Sequence, residues 1–385
     1  MSVRTGGFIQ GGTFNSLTQP SSSDLVTEYG DLYVWGVQTV ASGCSGVNGN
    51  SSVANLSSPV QVGTFGLWKS LSTAESSLGV KSDGTLWGVG INNHGALGQN
   101  DIIARSSFVQ VGAGTDWSRV HIHSHHALAV KTDGTLWACG RNTYGQLGDG
   151  TTISRSSPVQ IGSDTNWLHV AGGYLWSLGV KTDGTLWTWG NGSNGALGLN
   201  NTTNYSTPKQ VGALTTWTEK IGWNDYGIYA VKTDGTLWSW GINNMGQVGD
   251  GTTANKSSPV QIGSSTDWAT PGRGQQDEGF CVKADGSLFG WGRNQYGSVG
   301  DGSTTQRNSP VQIGALTNWS YVDGGGYFAA ALKTNGTVWT WGRSGDGRLG
   351  LNNITNYSSP KQVGTESNWV FLAAGSYNVK LIKRY

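Results

Sequence analysis

The chain has 385 residues, of which 12% are charged, and its formal net charge is +1. A net charge this small excludes the strongly positive surface that binds nucleic acid, so we expect no nucleic-acid partner. No run of eighteen apolar residues occurs and the N-terminus has no apolar signal core, which predicts neither membrane insertion nor Sec-type secretion. The expected place of synthesis is the cytoplasm.

Residues 1–24 are rich in Gly, Ser, Thr and Gln and lack both helical and alternating periodicity. We interpret them as an extended N-terminal arm that anchors the chain to its own domain or to a neighbouring subunit. Fully extended, such an arm reaches on the order of 80 Å at about 3.3 Å per residue. Residues 25–385 form a second unit, which carries an internal repeat.

The repeat is organised around a hairpin signal, as in the stretch from Val180 to Gly190. An apolar run, an Asp-Gly pair and an alternating run ending in Trp-Gly predict a β-hairpin with a tight turn. Near-copies recur in steps of 50 or 51 residues, with Asp or Asn before the turn glycine. The turn glycines are Gly84, Gly134, Gly184, Gly235, Gly286 and Gly336. A strand-built repeat of this period predicts a propeller or a solenoid.

A linker tryptophan precedes each hairpin, and these tryptophans mark seven repeats. They are Trp68, Trp117, Trp167, Trp217, Trp268, Trp319 and Trp369. The C-terminal stretch from Ala373 to Ile382 has the pattern of a first hairpin strand without a second, and Leu32 to Gly36 supplies one. We therefore predict an all-β, seven-bladed β-propeller whose ring is closed by pairing of the N- and C-terminal strands. The alternative is that Val26 to Tyr29 forms a separate N-terminal hairpin.

Three motifs carry a family likeness: the hairpin Val180 to Gly190, the Asn-x-x-Gly-x-Leu-Gly loop at Asn142 to Gly148, and Ser-Ser-Pro-Val-Gln-Ile at Ser156 to Ile161. The pattern resembles the regulator of chromosome condensation repeat over essentially all of residues 25–385. The resemblance implies a seven-bladed propeller that presents a loop-built surface to a protein partner. Functions in that family include nucleotide exchange on a small GTPase, plant ultraviolet reception and bacterial β-lactamase inhibition.

This chain departs from the family in ways that bear on function. Where the photoreceptor has a Gly-Trp-Arg-His-Thr motif, Gly222 and Trp223 are followed by Asn224 and Asp225. The exchange factor's basic tail and projecting wedge have no counterpart, since the only insertion is about five residues long, around Ala41 to Gly49. Fold resemblance alone does not transfer function.

The repeats differ most between each linker tryptophan and the following hairpin. Equivalent propeller loops open on one end of the ring, so these residues predict an annular surface suited to protein or carbohydrate contact. Neutral variation of exposed loops is the alternative explanation. The candidate partner-binding residues are Glu75, His123, His125, His126, Tyr174, Trp176, Trp223, Asp225, Tyr226, Arg273, Gln276, Asp277, Tyr327, Phe328 and Tyr377.

Chemistry-bearing patterns are sparse. His121 and His123 can share a strand face, which opens a metal hypothesis, but no matching ligand spacing accompanies them, so no metal site and no cofactor are predicted. Cys44, Cys139 and Cys281 show no paired spacing and are predicted to be buried apolar residues. No catalytic motif appears, so no catalytic residue is assigned.

Together these observations predict a non-enzymatic propeller that acts as an interaction or structural module. Our first hypothesis is a subunit of a larger particle, such as a phage or viral virion, with the arm as anchor. Its loops would then contact a neighbouring subunit, a host receptor or a surface glycan. The second is a soluble regulator or inhibitor that binds one target protein. A hydrolase or lyase working at the ring centre is a third.

Overall fold

A computed structural model describes residues 30–36, 55–62, 68–123 and 125–384. The described strands form seven four-stranded antiparallel sheets, which confirms the predicted all-β, seven-bladed propeller. The single helical element described is a short 3-10 turn, Ser193–Gly195. No helix in this described part of the chain is long and apolar enough to cross a membrane. The predicted arm 1–24, the alternative hairpin at Val26 to Tyr29 and the insertion at Ala41 to Gly49 lie outside the described residues.

Each blade has an inner, a second, a third and an outer strand, and blades are numbered 1 to 7 from the inner strand at Trp68. The inner strands are β3 (Trp68–Thr73), β7 (Trp117–His123), β11 (Trp167–Gly172), β15 (Trp217–Asn224), β19 (Trp268–Pro271), β23 (Trp319–Gly324) and β27 (Trp369–Ala374). The second strands are β4 (Ser76–Lys81), β8 (His126–Lys131), β12 (Trp176–Lys181), β16 (Gly227–Lys232), β20 (Glu278–Lys283), β24 (Phe328–Lys333) and β28 (Asn378–Arg384).

The third strands carry the Trp-Gly ending and the outer strands the Ser-Pro-Val pattern. The third strands are β5 (Leu86–Gly90), β9 (Leu136–Gly140), β13 (Leu186–Gly190), β17 (Leu237–Gly241), β21 (Leu288–Gly292), β25 (Val338–Gly342) and β1 (Gly30–Gly36). The outer strands are β6 (Arg105–Gln110), β10 (Arg155–Gln160), β14 (Tyr205–Gln210), β18 (Lys256–Gln261), β22 (Arg307–Gln312), β26 (Tyr357–Gln362) and β2 (Leu56–Gln61).

Blade 7 closes the ring with strands from both ends of the chain, in the order β2-β1-β28-β27. β1 and β28 pair antiparallel over their whole length, with Leu32 opposite Ile382 and Trp35 opposite Val379. The inner strands of consecutive blades contact one another all the way round, including β27 with β3. The predicted closure by terminal strands is therefore confirmed.

The hairpin turn depends on a glycine for two reasons. Gly184 has φ +77°, in the left-handed region, and a Cβ added there would lie 2.2 Å from the Thr215 carbonyl oxygen. Its own carbonyl accepts the backbone N–H of Trp217 at 3.1 Å, which ties the turn to the next linker. Asp183 accepts from the Thr185 N–H and hydroxyl at 3.0 and 2.6 Å. The aspartate is thus a turn former through hydrogen bonds, while the glycine takes the positive φ.

A lysine at the end of each second strand lies between two aromatic rings. In blade 3, Lys181 Nζ is 4.8 Å from the Trp167 ring centroid and 4.3 Å from that of Trp187. The arrangement recurs in the other six blades, at Lys81, Lys131, Lys232, Lys283, Lys333 and Lys383. Cation–π attraction therefore supports the linker tryptophan and the third strand together in every blade.

The second tryptophan of a third strand docks on the preceding blade. The Trp189 indole N–H donates to the Gln146 carbonyl at 2.9 Å, and a Cβ added at Gly148 would lie 2.8 Å from that indole nitrogen. Similar indole bonds of 2.8 to 2.9 Å join Trp35, Trp291 and Trp341 to the blades before them. The glycine of the Leu-Gly motif therefore leaves the space that the next blade's indole occupies. These strand tryptophans are structural, as predicted.

Blade 2 departs from this pattern, because Cys139 stands where Trp189 stands in blade 3. Its thiol points to the Ala96 carbonyl at 3.5 Å, the counterpart of the indole acceptor in the other blades. A small apolar cavity lined by Leu78, Leu97 and Cys139 lies at this interface between blades 1 and 2. Cys139 and Cys281 are buried in strands, as the sequence predicted for them.

We expect Trp189→Cys to lower the free energy of unfolding by about 3 kcal/mol, since it leaves a large cavity and removes one of the two hydrogen bonds to the Gln146 carbonyl. The reciprocal change Cys139→Trp should lower it by only about 1 kcal/mol, because the existing cavity is too small for an indole and the interface must shift to admit it. Urea unfolding followed by tryptophan fluorescence measures both. Equal destabilisation by the two changes would contradict this account of the interface.

Lys380 lies in the seam between blade 7 and blade 1. It occupies the register position that holds Leu78, Leu128 and Leu178 in other second strands. The side chain is fully buried and donates from Nζ to the Ser77 hydroxyl. Burial lowers the pKa of Lys380 to about 7. An amine therefore replaces an apolar residue in the closing seam.

The lowered pKa predicts a pH-dependent stability. Below pH 7 both folded and unfolded chains carry the proton, and the full cost of burying the charge applies. Stability should then rise between about pH 7 and the unfolded pKa of about 10.4, as the folded amine is neutral while the unfolded one still binds a proton. Lys380→Leu should remove this rise and stabilise the protein at pH 7. Urea unfolding over pH checks this, with exposed Lys361→Leu expected to keep the wild-type slope.

Candidate partner-binding face

The loops between inner and second strands and the loops after the third strands open on one end of the ring, which we call the loop face. In blades 2 to 6 a backbone bond ties the two loops together. The Arg141 N–H donates to the His125 carbonyl at 2.8 Å, and the Arg343 N–H donates to the Tyr327 carbonyl at 2.9 Å. The opposite end carries the hairpin turns. The predicted annular surface therefore exists as one face of connected loops.

The structure divides the fifteen candidate residues by exposure. Nine reach the surface, with Tyr226 and Tyr377 the most open at 42% and 39%. These nine are Glu75, His125, Tyr174, Asp225, Tyr226, Gln276, Asp277, Tyr327 and Tyr377. The expectation of a surface position is wrong for the six that are buried: His123, His126, Trp176, Trp223, Arg273 and Phe328. Whether the nine bind a partner stays a prediction.

Five of the six buried residues lie at strand ends rather than loop tips, and Arg273 lies two residues after the end of β19. Trp176 and Phe328 begin second strands, and Trp223 lies near the end of an inner strand. The Trp176 indole N–H donates to the Asp225 carbonyl of the next blade at 3.0 Å. Sequence variation at these positions therefore reflects how blades pack under the loops.

Beneath the loop face, side chains from opposite blades meet across the propeller axis. His121 Nε2 donates to the Gly172 carbonyl at 2.9 Å, and its ring packs edge-on against Trp223 at 4.8 Å between centroids. The Trp223 ring in turn faces the Arg273 guanidinium at 5.5 Å. These contacts link blades 2, 3, 4 and 5 at one level of the axis.

Arg273 and Asp323 continue this network as a buried ion pair. Arg273 Nε donates to Asp323 Oδ1 at 2.9 Å, and Asp323 Oδ2 accepts the Ala374 N–H at 2.8 Å. Burial raises the pKa of Asp323, and the charge of Arg273 opposes that rise. Our sequence analysis missed Asp323. The sequence does contain a signal for it: Asp323 places a carboxylate at an inner-strand position where other repeats have Ala171 and Ala373.

The loop face has two chemically different sectors. Over blades 1 to 4, the His125 ring lies 4.9 Å from His94 and 5.4 Å from Tyr174. His123 Nε2 lies 3.1 Å from Asp225 Oδ1. This sector combines imidazole, phenol and carboxylate groups around the axis.

The second sector, over blades 5 and 6, alternates arginine and tyrosine. The Arg293 guanidinium lies 5.0 Å from the Tyr327 ring and pairs with Asp277 at 3.3 Å. Tyr327 packs on Tyr296 at 5.4 Å, and Arg343 lies 5.5 Å from the Tyr296 ring. Tyr327 has φ +65°, whereas the other described non-glycine residues with positive φ are all asparagines. A bulky residue held in this strained conformation marks a candidate contact residue.

The structure gives the metal hypothesis no support. Within the described residues, no group of three His, Cys, Asp or Glu side chains is placed to hold a metal ion. His121 and His126 are turned into the blade packing. His126 Nε2 donates to the Ser177 hydroxyl at 2.9 Å, because that hydroxyl gives its own proton to the Gln146 carbonyl.

Burial lowers the pKa of His126 and of His169 to about 3, and that of His121 well below its ordinary value. These imidazoles are therefore neutral in the folded chain. Unfolded histidines bind protons below about pH 6.5, so stability should be full above that pH and fall between about 6.5 and 3. We expect His126→Gln and His169→Gln each to shallow this fall in urea unfolding. An unchanged slope in both variants would show that the cause lies elsewhere.

The fold and the loop face define a closed seven-bladed propeller with a chemically varied rim. More than half of the residues match the regulator of chromosome condensation (RCC1) repeat, at 133–180, 183–219, 234–269, 285–332 and 335–380. The chain belongs to this family, as its resemblance predicted.

Similar proteins span several functions. The ultraviolet-B receptor UVR8 of Arabidopsis thaliana is 36% identical over 92 residues, which cover 23% of this chain and 20% of the receptor. Protein RCC2 of Homo sapiens is 35% identical over 85 residues, 22% of this chain and 16% of that protein. The matches thus span at most about a fifth of these relatives' own length.

Among solved structures, Prp20p of Saccharomyces cerevisiae, reported with its binding to Gsp1p and histones, has a TM-score of 0.82 at 17% identity. The match covers 94% of this chain and 93% of Prp20p. Human WBSCR16 has a TM-score of 0.79 at 20% identity, covering 92% of this chain and 99% of that one. At these identities the likeness shows the fold.

Proposed function

We propose that the protein is a non-enzymatic interaction module that binds another protein through its loop face. The observation that carries this proposal is the Arg-Tyr sector, where half-exposed rings and guanidinium groups stack at the tips of rigid loops. Tyrosine and arginine are enriched in protein interfaces because each offers a large contact area together with a polar group. The strained Tyr327 and the open Tyr226 and Tyr377 extend this surface around the ring.

Rigid support favours binding at this face. The loops are tied by backbone bonds within blades 2 to 6 and by side-chain contacts across the axis, so little conformational entropy is lost when a partner docks. Among similar structures, yeast Prp20p is reported with its binding to Gsp1p and histones, and the same protein is also reported bound to Kap60. These partners belong to that protein, and they support only the class of ligand proposed.

We further propose that the chain works within a larger particle, such as a phage or viral virion, with residues 1–24 as anchor. Support comes from the composition and extended reach of that segment and from the low charge of the chain. A neighbouring subunit, a host receptor or its glycan would then meet the loop face. The alternative is a soluble regulator of one target protein, in line with the family's exchange factors and inhibitors.

The binding surface can be tested by capturing the protein with its natural partner. Tyr226→Ser with Tyr377→Ser removes two exposed rings from the loop face and should weaken capture at least tenfold. The matched control is Leu214→Ser with Leu316→Ser, which removes two exposed aliphatic side chains (46% and 49%) from the hairpin end. Capture should survive in the control. Equal capture by all three proteins, each with wild-type thermal stability, would contradict the proposed face.

Particle membership has a separate test. The full chain should sediment with particles isolated from its source, and deletion of residues 1–24 should release it while the propeller keeps its melting temperature. A monomer that binds one protein with the segment present or deleted would instead favour the soluble regulator.

A further inference from the structure

Three side chains from three blades meet at the centre of the loop face. His123 of blade 2 lies 3.1 Å from Asp225 of blade 4, measured from Nε2 to Oδ1. Glu75 of blade 1 is near enough for the charges of both groups to act on it. Because the three come from different blades, they stand around the axis rather than along one sheet. We call Glu75, His123 and Asp225 the acidic mouth.

The acidic mouth has a charge that the chain does not balance. Three other carboxylates of the loop side have an arginine within ion-pair distance, Asp277 with Arg293, Asp323 with Arg273 and Asp346 with Arg348, whereas the buried Glu278 at the start of β20 has none among the described ion pairs. Among the described ion pairs, Glu75 has none and Asp225 has only His123. Two carboxylates and one imidazole therefore lie close enough to act on one another, and no lysine or arginine is among the charges that act on Glu75.

The mouth also holds buried polar atoms without a hydrogen bond. His123 is 2% exposed, and neither of its ring nitrogens has a hydrogen-bond partner in the described part of the chain. The same holds for Asp225 Oδ1, whose position near His123 lacks hydrogen-bond geometry. Buried polar groups are almost always satisfied, and each one left open costs free energy. A ligand that brings donors would remove this cost.

The environment of Glu75 indicates that this ligand carries a positive charge. Burial raises the pKa of Glu75 first, the Asp225 charge adds to the rise, and His123 opposes it. A positive group held between the carboxylates would offset both effects. Beside the mouth, the Tyr174 ring lies 6.5 Å from His123 and 5.4 Å from His125. Such rings pack on the alkyl stem of a long basic side chain and attract its charged end.

We infer that the acidic mouth receives one lysine or arginine side chain projecting from the protein partner. This inference rests on the proposed function and adds what the loop face recognises. A basic side chain supplies several N–H donors and one positive charge, which match the two carboxylates and the open imidazole. A metal ion fits less well, since the described residues contain no three-ligand group placed for one.

The test titrates the full chain, labelled with carbon-13 at histidine, with N-acetyl-arginine methylamide and follows the His123 resonance by NMR. His123→Gln assigns that resonance. We expect a saturable shift in the wild type and at least tenfold weaker binding in Glu75→Gln with Asp225→Asn. The neutral citrulline analogue should give no saturable shift. If the double variant fails to unfold cooperatively, Glu75→Gln alone is titrated in its place.

The matched control is Asp164→Asn with Asp267→Asn, which removes the same two charges from exposed positions near the hairpin end. It should bind the arginine probe as the wild type does. Equal binding of citrulline, equal binding by the mouth variant, or a His123 shift produced by zinc but not by arginine would overturn the inference.

Partner capture separates this inference from the proposed function. A flat arginine titration, combined with loss of capture in the Tyr226 and Tyr377 variant, overturns the acidic mouth and leaves the loop face as the interface. Arginine binding combined with intact capture in that variant overturns the proposed face, and with it the assignment of the bound cation to a partner.

Discussion

Docking of one blade's indole on the preceding blade's glycine joins five of the seven blades to the blade before them, and the repeat spacing depends on this contact. In blade 3 the tryptophan donates its N–H to the Gln146 carbonyl of the preceding blade, and Gly148 leaves room for the ring. Any side chain at Gly148 or Gly300 would collide with the indole and would also have to adopt a positive φ. Packing, hydrogen bonding and backbone conformation thus impose the same spacing on successive repeats, which is why the Leu-Gly and Trp-Gly motifs recur together.

The two ends of each blade obey different constraints. At the hairpin end, the Gly184 carbonyl binds the following linker, Asp183 holds the turn and Lys181 lies between two rings, so these repeated residues have structural partners. At the loop end, the backbone bond between the two loops of a blade needs no particular side chain. The loop tips are therefore free to vary without loss of the fold, and chemical differences accumulate on that face alone.

This division explains what the sequence could predict. The period, the turn glycines and the linker tryptophans specified seven blades, and the unpaired pattern near Ile382 specified their closure, because each signal arises from local geometry. The depth of loop residues was not predictable in the same way. Trp176 and Tyr174 are two positions apart, yet the first is buried under the next blade and the second reaches the surface. Which of the two side chains is buried depends on the distance between neighbouring blades, and no local sequence pattern indicates that distance.

The contacts across the axis connect the scaffold to the face. A buried ion pair such as Arg273 with Asp323 is weak evidence for stability, since desolvation offsets most of its attraction. Its geometric effect is stronger, because Asp323 also binds the backbone of blade 7 while Arg273 packs on the tryptophan of blade 4. Loops from opposite sides of the ring are thereby held at fixed separation. A face made of seven variable loops can then act as one preformed surface, with its unbalanced charge at the centre and its aromatic groups on the rim.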